Sequence, residues 1–426
     1  MAGSDETAPR SLMLMLLSVT FAMNFVARGV PETFAVFLLP VQKGLGVSRP
    51  QITLTYTVYM LTYGLFGPFA GQMIDRLGAR TAYAFGLVTI GTGYVLAGSA
   101  YELWNYLLAV GLLGGIGAAA LGMIVASALL SRWFTRRIGA IMSLPYAAIG
   151  AGMLVLPPLT QVLLSAYDWR STHRMIGAGV LAMLPLLMLL PLRRMTAGSQ
   201  AWRQRQRAAA SGVGVWSLST ALRTSAFWGL FAAYLCTALA AYSVIPHSVA
   251  YLVEQGFDAL FAASAFGLAG MLSVIGIVAI GWLSDRIGRR QAATISYIST
   301  MSGIGALAAV SAWPSPLLVY AFVCLFGLMQ GARGPIVVAM VAALFPGGVG
   351  AIYGTLSLAQ GLGAGLGAWL SGMLYELTGS YLSSFALAGC AALGGLASFW
   401  VIASLRDERI GPPTPLQRAT GGPPDQ

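Results

Sequence analysis

Long apolar runs, broken by short charged or Pro/Gly-rich stretches, set the pattern of this chain. Ser11 to Ala27 and Leu107 to Leu130 each run without a charge. Runs of that kind match the ~20 residues an α-helix needs to cross a ~30 Å hydrocarbon core. Reading each run against its breaks predicts spans near 12–40, 50–74, 81–100, 104–131, 138–166 and 174–192. A second set is predicted near 226–253, 260–283, 291–312, 315–345, 350–376 and 381–405. The expected fold is an all-α membrane protein with twelve transmembrane helices in two pseudo-symmetric six-helix bundles. Its expected divisions are a cytoplasmic N-terminus (1–11), an N-terminal bundle (12–192), a cytoplasmic linker (193–225), a C-terminal bundle (226–405) and a cytoplasmic tail (406–426).

Composition supports the pattern. Hydrophobic residues make up 57% of the 426 and charged residues 9%, against roughly a quarter charged in soluble domains. The net charge of +11 lies in short loops rather than on one amphipathic face, so it reads as an orientation signal and not as a nucleic-acid surface. With the N-terminus inside, four of the 24 basic residues fall outside (Lys43, Arg49, Arg170, Arg174), two fall within spans (Arg28, Arg333) and eighteen are cytoplasmic. Both termini are therefore expected in the cytoplasm. Asp5 and Glu6 spoil a signal-peptide n-region, so the first run reads as a retained helix. Cys236, Cys324 and Cys390 sit in apolar segments without paired spacing, and read as packing residues rather than a disulfide or metal site. No nucleophile with a base, phosphate loop or metal-ligand set appears. No cofactor is expected, and the chain does not read as an enzyme.

A decapeptide recurs after the second and eighth spans. Gly71-Gln72-Met73-Ile74-Asp75-Arg76-Leu77-Gly78-Ala79-Arg80 is followed 210 positions later by Gly281-Trp282-Leu283-Ser284-Asp285-Arg286-Ile287-Gly288-Arg289-Arg290. Such a loop must turn tightly, which Gly78 and Gly288 permit, while Asp75 and Asp285 suit positive helix ends or arginines. The repeat resembles the loop motif of the major facilitator superfamily, over about residues 12–405, and the resemblance implies a conformational role for Gly71, Asp75, Arg76, Gly78, Arg80, Gly281, Asp285, Arg286, Gly288 and Arg289. Three further stretches look like bacterial monocarboxylate porters and their oxalate/formate antiporter relatives: Val47-Ser48-Arg49, Ser131 to Ala140, and Gly350-Ala351-Ile352-Tyr353-Gly354 with Tyr375 and Thr378-Gly379-Ser380-Tyr381. This likeness implies a bacterial inner-membrane transporter of small carboxylates, proton-linked or exchanging. One departure is that the eighth span, through Ser273 to Val278, lacks the arginine such porters commonly carry there.

Candidate chemistry lies inside the spans. Arg28 and Arg333 are buried at a depth where a charge needs a polar cavity or partner, and a guanidinium pairs with a carboxylate at any relevant pH. The superfamily resemblance, in which the first, fourth, seventh and tenth helices line the cavity, makes both arginines candidate anion anchors. Equally, each can be a packing arginine, with Glu32 a turn beyond Arg28 as partner. Asn24, Arg28 and Glu32 share one helical face by their four-residue spacing, and Glu32 is a candidate proton carrier. His247, after Pro246, is a substrate or proton candidate, or a packing histidine at a broken helix. Tyr56, Tyr59, Tyr63 and Tyr353 are candidate anion donors, or interface tyrosines.

The reading is a secondary transporter of a small organic anion, working by alternating access as a monomeric unit in the bilayer. With no nucleotide-binding domain it runs on a gradient, by exchange or passively. Three alternatives are an exporter of amphipathic drugs or metabolites, uptake of a larger neutral or aromatic solute, and a nontransporting membrane sensor.

Overall fold

The computed structural model describes residues 10–133, 138–192, 196, 218–345, 349–402 and 405. Most of the expected linker, the tail, residues 1–9, and Arg136 and Arg137 of the fourth-span motif lie outside these residues. Among the described residues, eight helices are long and apolar enough to cross a membrane. Four more spans complete twelve. The helix Arg49–Ala97 divides at Gly78 into the second and third spans, the tenth is assembled from Pro316–Phe322, Val323–Gly327 and Arg333–Leu344, and the eleventh is the glycine-rich Val349–Thr378.

The repeat is visible in backbone irregularities. The first span breaks at Thr33, between Arg10–Glu32 and Phe34–Leu45, and the seventh breaks at Ser243, after Ser225–Tyr242. Proline explains both, since Pro31 and Pro246 withhold an N–H next to the break. At the break the Val30 carbonyl accepts from the Thr33 N–H and hydroxyl and from the Tyr94 hydroxyl at 2.7 Å. Gly78 (φ 85°, ψ 169°) and Gly288 (φ 92°, ψ 151°) make the same turn, in a region closed to other residues. The fourth and tenth spans each contain a π-helical stretch, Leu107–Leu113 and Val323–Gly327.

We call the face carrying the two decapeptide turns the inner face. The halves pack through the second span against the eleventh and the fifth (Ile138–Ala166) against the eighth (Ala259–Ile287). Small residues allow this approach: Thr57 donates to the Gly365 carbonyl at 2.8 Å, and a Cβ on Gly267 would lie 2.7 Å from the Met153 carbonyl. On the inner stretches of the same helices Leu65, Phe69, Ile275 and Val278 are exposed. At the outer face, Asp168 caps the sixth span (Trp169–Leu181, Met183–Leu189) by accepting from the Ser171 N–H at 2.9 Å, and this hydrogen bond holds its carboxyl below the ordinary range. The three cysteines form no disulfide, and Cys324 and Cys390 are exposed rather than packed inside.

Candidate functional site

Glu32 and Arg28 are one turn apart on the first span, which brings their side chains together. Arg28 Nη2 lies 2.8 Å from Glu32 Oε1, the arginine side chain 21% exposed and the glutamate 1%. The same nitrogen donates to the Tyr242 hydroxyl of the seventh span at 2.5 Å, so Arg28 joins the first span of one half to the seventh of the other. Glu32 also accepts from the Tyr56 hydroxyl at 3.1 Å. Tyr56 packs on Tyr59 and Tyr242, with ring centroids 5.5 and 5.9 Å apart. A buried pair of this kind persists only when its remaining polar atoms are bonded, and Tyr56 and Tyr242 do that here. Tyr59 is buried with a hydroxyl that has no partner among the described residues. The Asn24 amide is spent on its own helix, donating to the Thr20 carbonyl at 2.8 Å. Tyr353 shares a hydrogen bond of 3.1 Å with Tyr234 of the seventh span.

Arg333 does not join this cluster. It turns toward the ninth span (Arg289–Ala309), lies 4.1 Å from the Tyr297 ring centroid, and donates to the Ser296 carbonyl at 3.0 Å and the Thr300 hydroxyl. It is 4% exposed. The cause is the break before it: Leu328 to Ala332 leave the helical path, Gly331 takes φ 81°, and the new helix begins at Arg333 with its side chain set toward the ninth span.

His247 belongs to a separate group nearer the outer face. Its Nε2 is 3.0 Å from the Ala368 carbonyl, which accepts only, so Nε2 carries the proton and Nδ1 accepts from the Tyr381 hydroxyl at 3.3 Å. Tyr381 in turn accepts from Arg49, at the start of the second span. Arg49 also forms an ion pair of 2.7 Å with Glu254 and lies 4.4 Å from the Tyr375 ring centroid. Arg49, Tyr375 and Tyr381 all stood in motifs quoted for the family resemblance. Their mutual contact, across 332 positions for Arg49 and Tyr381, is decided by folding. Tyr242 and Glu254 carried no motif. The signal for Tyr242 was its place 210 positions after Glu32, the offset of the repeat.

The decapeptides differ in their partners. Asp75 pairs with Arg132 at the end of the fourth span at 2.6 Å, and Arg132 also donates to the Thr196 carbonyl. Arg80 donates to the carbonyls of Met188 and Leu190 at the end of the sixth span. In the second copy, Asp285 is exposed, and Arg286 lies 4.1 Å from the Trp282 ring centroid. Gly281 meets open space, whereas a Cβ on Gly71 would touch Ile124 at 3.7 Å.

A sequence profile described as Major Facilitator Superfamily matches residues 14–317 and 274–423. The chain is 29% identical to monocarboxylate transporter 13 of Rattus norvegicus, covering 89% of this chain and 86% of that protein. It is 24% identical to an uncharacterised MFS-type transporter, YcxA, of Bacillus subtilis, covering 92% and 95%. Among solved structures, the partially occluded inward-open xylose transporter XylE from E. coli superposes with a TM-score of 0.72 at 14% identity, covering 92% of this chain and 99% of that one. A bacterial homologue of the human lysosomal transporter Spinster gives 0.71 at 16% identity, covering 95% and 99%. With the repeated turn, the paired halves and this profile in agreement, the chain belongs to the major facilitator superfamily, as an integral multi-pass membrane protein and a secondary transporter of a small molecule.

Proposed function

We propose that the chain moves a small monocarboxylate-like anion by alternating access, with Arg28 as the carboxylate anchor. The observation that carries this reading is the state of the Arg28 guanidinium. Among the described residues only Nη2 is engaged, by Glu32 and Tyr242, and the side chain is one-fifth exposed at the junction of the halves. The Nη1 and Nε edge retains its donors for a planar, acceptor-rich partner. The names of the monocarboxylate transporter relatives support the same substrate class.

Charge balance extends the proposal to coupling. Arg28 and Glu32 are together neutral, so a bound carboxylate would leave one uncompensated negative charge at this depth. A proton on Glu32 removes it, which makes the loaded site neutral and the transport proton-linked. In this reading His247 serves the outer contacts through Tyr381, and Arg333 supports the C-terminal bundle. Both termini are proposed to be cytoplasmic.

The test is anion binding and uptake by purified, reconstituted protein. Arg28→Gln is expected to lose carboxylate binding while keeping its fold, and Arg28→Lys to retain part of it. Glu32→Gln is expected to bind the anion with weakened pH dependence. Unchanged anion affinity in a folded Arg28→Gln protein would end the proposal.

A further inference from the structure

We infer that a groove between the third and sixth spans, at the inner edge of the N-terminal half, is a binding site for an anionic phospholipid. The phosphate sits at Arg80 and one acyl chain lies along the groove. The groove, of about 470 Å³, is walled by Ala84, Phe85, Val88, Leu184 and Met188, with Arg80 at its inner end. Residues 81, 84, 85 and 88 fall on one helical face, which is why a continuous wall forms. From Arg80 to Val88 the groove follows the third span for ~12 Å at 1.5 Å per residue. That is close to the ~15 Å depth of one leaflet's hydrocarbon. Phe85, Val88 and Met188 are about two-fifths exposed, so the groove opens sideways, where lipid chains are the solvent.

Arg80 supplies the charge complement. Its Nη2 donates to the carbonyls of Met188 and Leu190 at 3.1 and 2.8 Å, while its Nε is buried without a partner among the described residues. No carboxylate is paired with it among the described residues, since the nearby Asp75 is held by Arg132. The guanidinium therefore keeps its full charge at headgroup depth, where an anionic lipid gains from it.

The internal repeat provides a comparison within the same molecule. Arg290 stands 210 positions after Arg80, and it lies 4.3 Å from the ring centroid of Trp400 at the inner end of the twelfth span (Leu382–Val401). Trp400 Nε1 donates to Thr294, the counterpart of Ala84, at 3.1 Å. In the C-terminal half a tryptophan covers the arginine and the wall beside it. In the N-terminal half the position 210 before Trp400 is Leu190 rather than a tryptophan, and the groove beside Arg80 is lined by Met188 and left open. Apolar walls with one cation at the end fit an acyl chain bearing an anionic head, and a free phosphate would leave the walls bare.

The test is native mass spectrometry and thermal unfolding of the full chain in detergent with dioleoylphosphatidylglycerol, dioleoylphosphatidylcholine or inorganic phosphate. Phosphatidylglycerol is expected to be retained about fivefold more than phosphatidylcholine, the gain of one arginine near an anionic headgroup, and Arg80→Gln is expected to erase that preference. Because Arg80→Gln also removes the bonds to the sixth span, a second variant is decisive. Met188→Trp, which places in this half the residue type that covers Arg290, is expected to displace phosphatidylglycerol while leaving lipid-free thermal stability intact. Equal retention of the two lipids by the wild type, stabilisation by phosphate alone, or undiminished phosphatidylglycerol in Met188→Trp would each overturn the site.

Discussion

Glu32 and Tyr242 occupy the same place in the two repeats, 210 positions apart, and both bind Nη2 of Arg28, at 2.8 and 2.5 Å. The position just before the kink of the first span thus carries a carboxylate, and its counterpart in the seventh carries a neutral hydroxyl. One half supplies the charge and the other a hydrogen bond that can be made and broken without stranding an ion in the membrane. Moving Tyr242 away costs about one charged hydrogen bond, ~1.5–3 kcal/mol, whereas separating two buried ions costs several. An interface that must open in each transport cycle is better joined by the first.

The outer contact between the halves is expected to open more readily when Glu254 is neutralised. Arg49 loses its ion pair and keeps Tyr381. Glu254 is partly exposed, so the change is modest, about 1 kcal/mol or fivefold in population. A Thr57→Cys probe, in a background without Cys236, Cys324 and Cys390, is expected to react correspondingly faster with an impermeant thiol reagent from the outer face in Glu254→Gln. An unaltered rate would mean that Arg49 and Glu254 do not hold the halves together.

Gly276→Ala is expected to destabilise the C-terminal bundle by about 3 kcal/mol or prevent its folding. Its Cβ would meet the Leu328 carbonyl oxygen at 1.5 Å, at the break of the tenth span, and a backbone atom cannot swing aside. Gly281→Ala, five residues along the same helix, meets nothing within 4 Å and is expected to be neutral or stabilising. Thermal unfolding of the two variants provides the comparison.

Alanine at Gly78 or Gly288 is expected to cost about 1–3 kcal/mol at each turn, because both glycines take a backbone conformation that side chains disfavour. Among the described residues nothing lies within 4 Å of a Cβ on Gly288, so its loss would be conformational strain. Thermal stability equal to wild type in both variants would show that the turns relax without it.

Arg333→Lys is expected to lower thermal stability by about 1–3 kcal/mol, through loss of the planar fork that reaches Ser296 and Thr300 over the Tyr297 ring. On this reading anion affinity in the folded fraction stays within twofold. A selective loss of anion binding at unchanged stability would instead return Arg333 to the substrate site.

Much of the fold was legible in the chain. Apolar runs and their breaks determine twelve spans because an unbonded backbone cannot enter hydrocarbon, and the repeated decapeptide determines that the halves are parallel copies. The helical face shared by Arg28 and Glu32 also followed from spacing, since neighbours four residues apart meet on any helix. Only the tertiary structure decided where the long side chains point. Arg28 and Arg333 looked alike as isolated cations within spans, yet the kink after Glu32 brings Arg28 to Tyr242 in the other half, while the turn at Gly331 sends Arg333 to the ninth span. His247 likewise turned on partners over a hundred residues away, Ala368 and Tyr381. Periodicity reports which face of a helix is polar, but the direction of a guanidinium depends on breaks in the helix and on the packing of distant spans, and those exist only once the chain has folded.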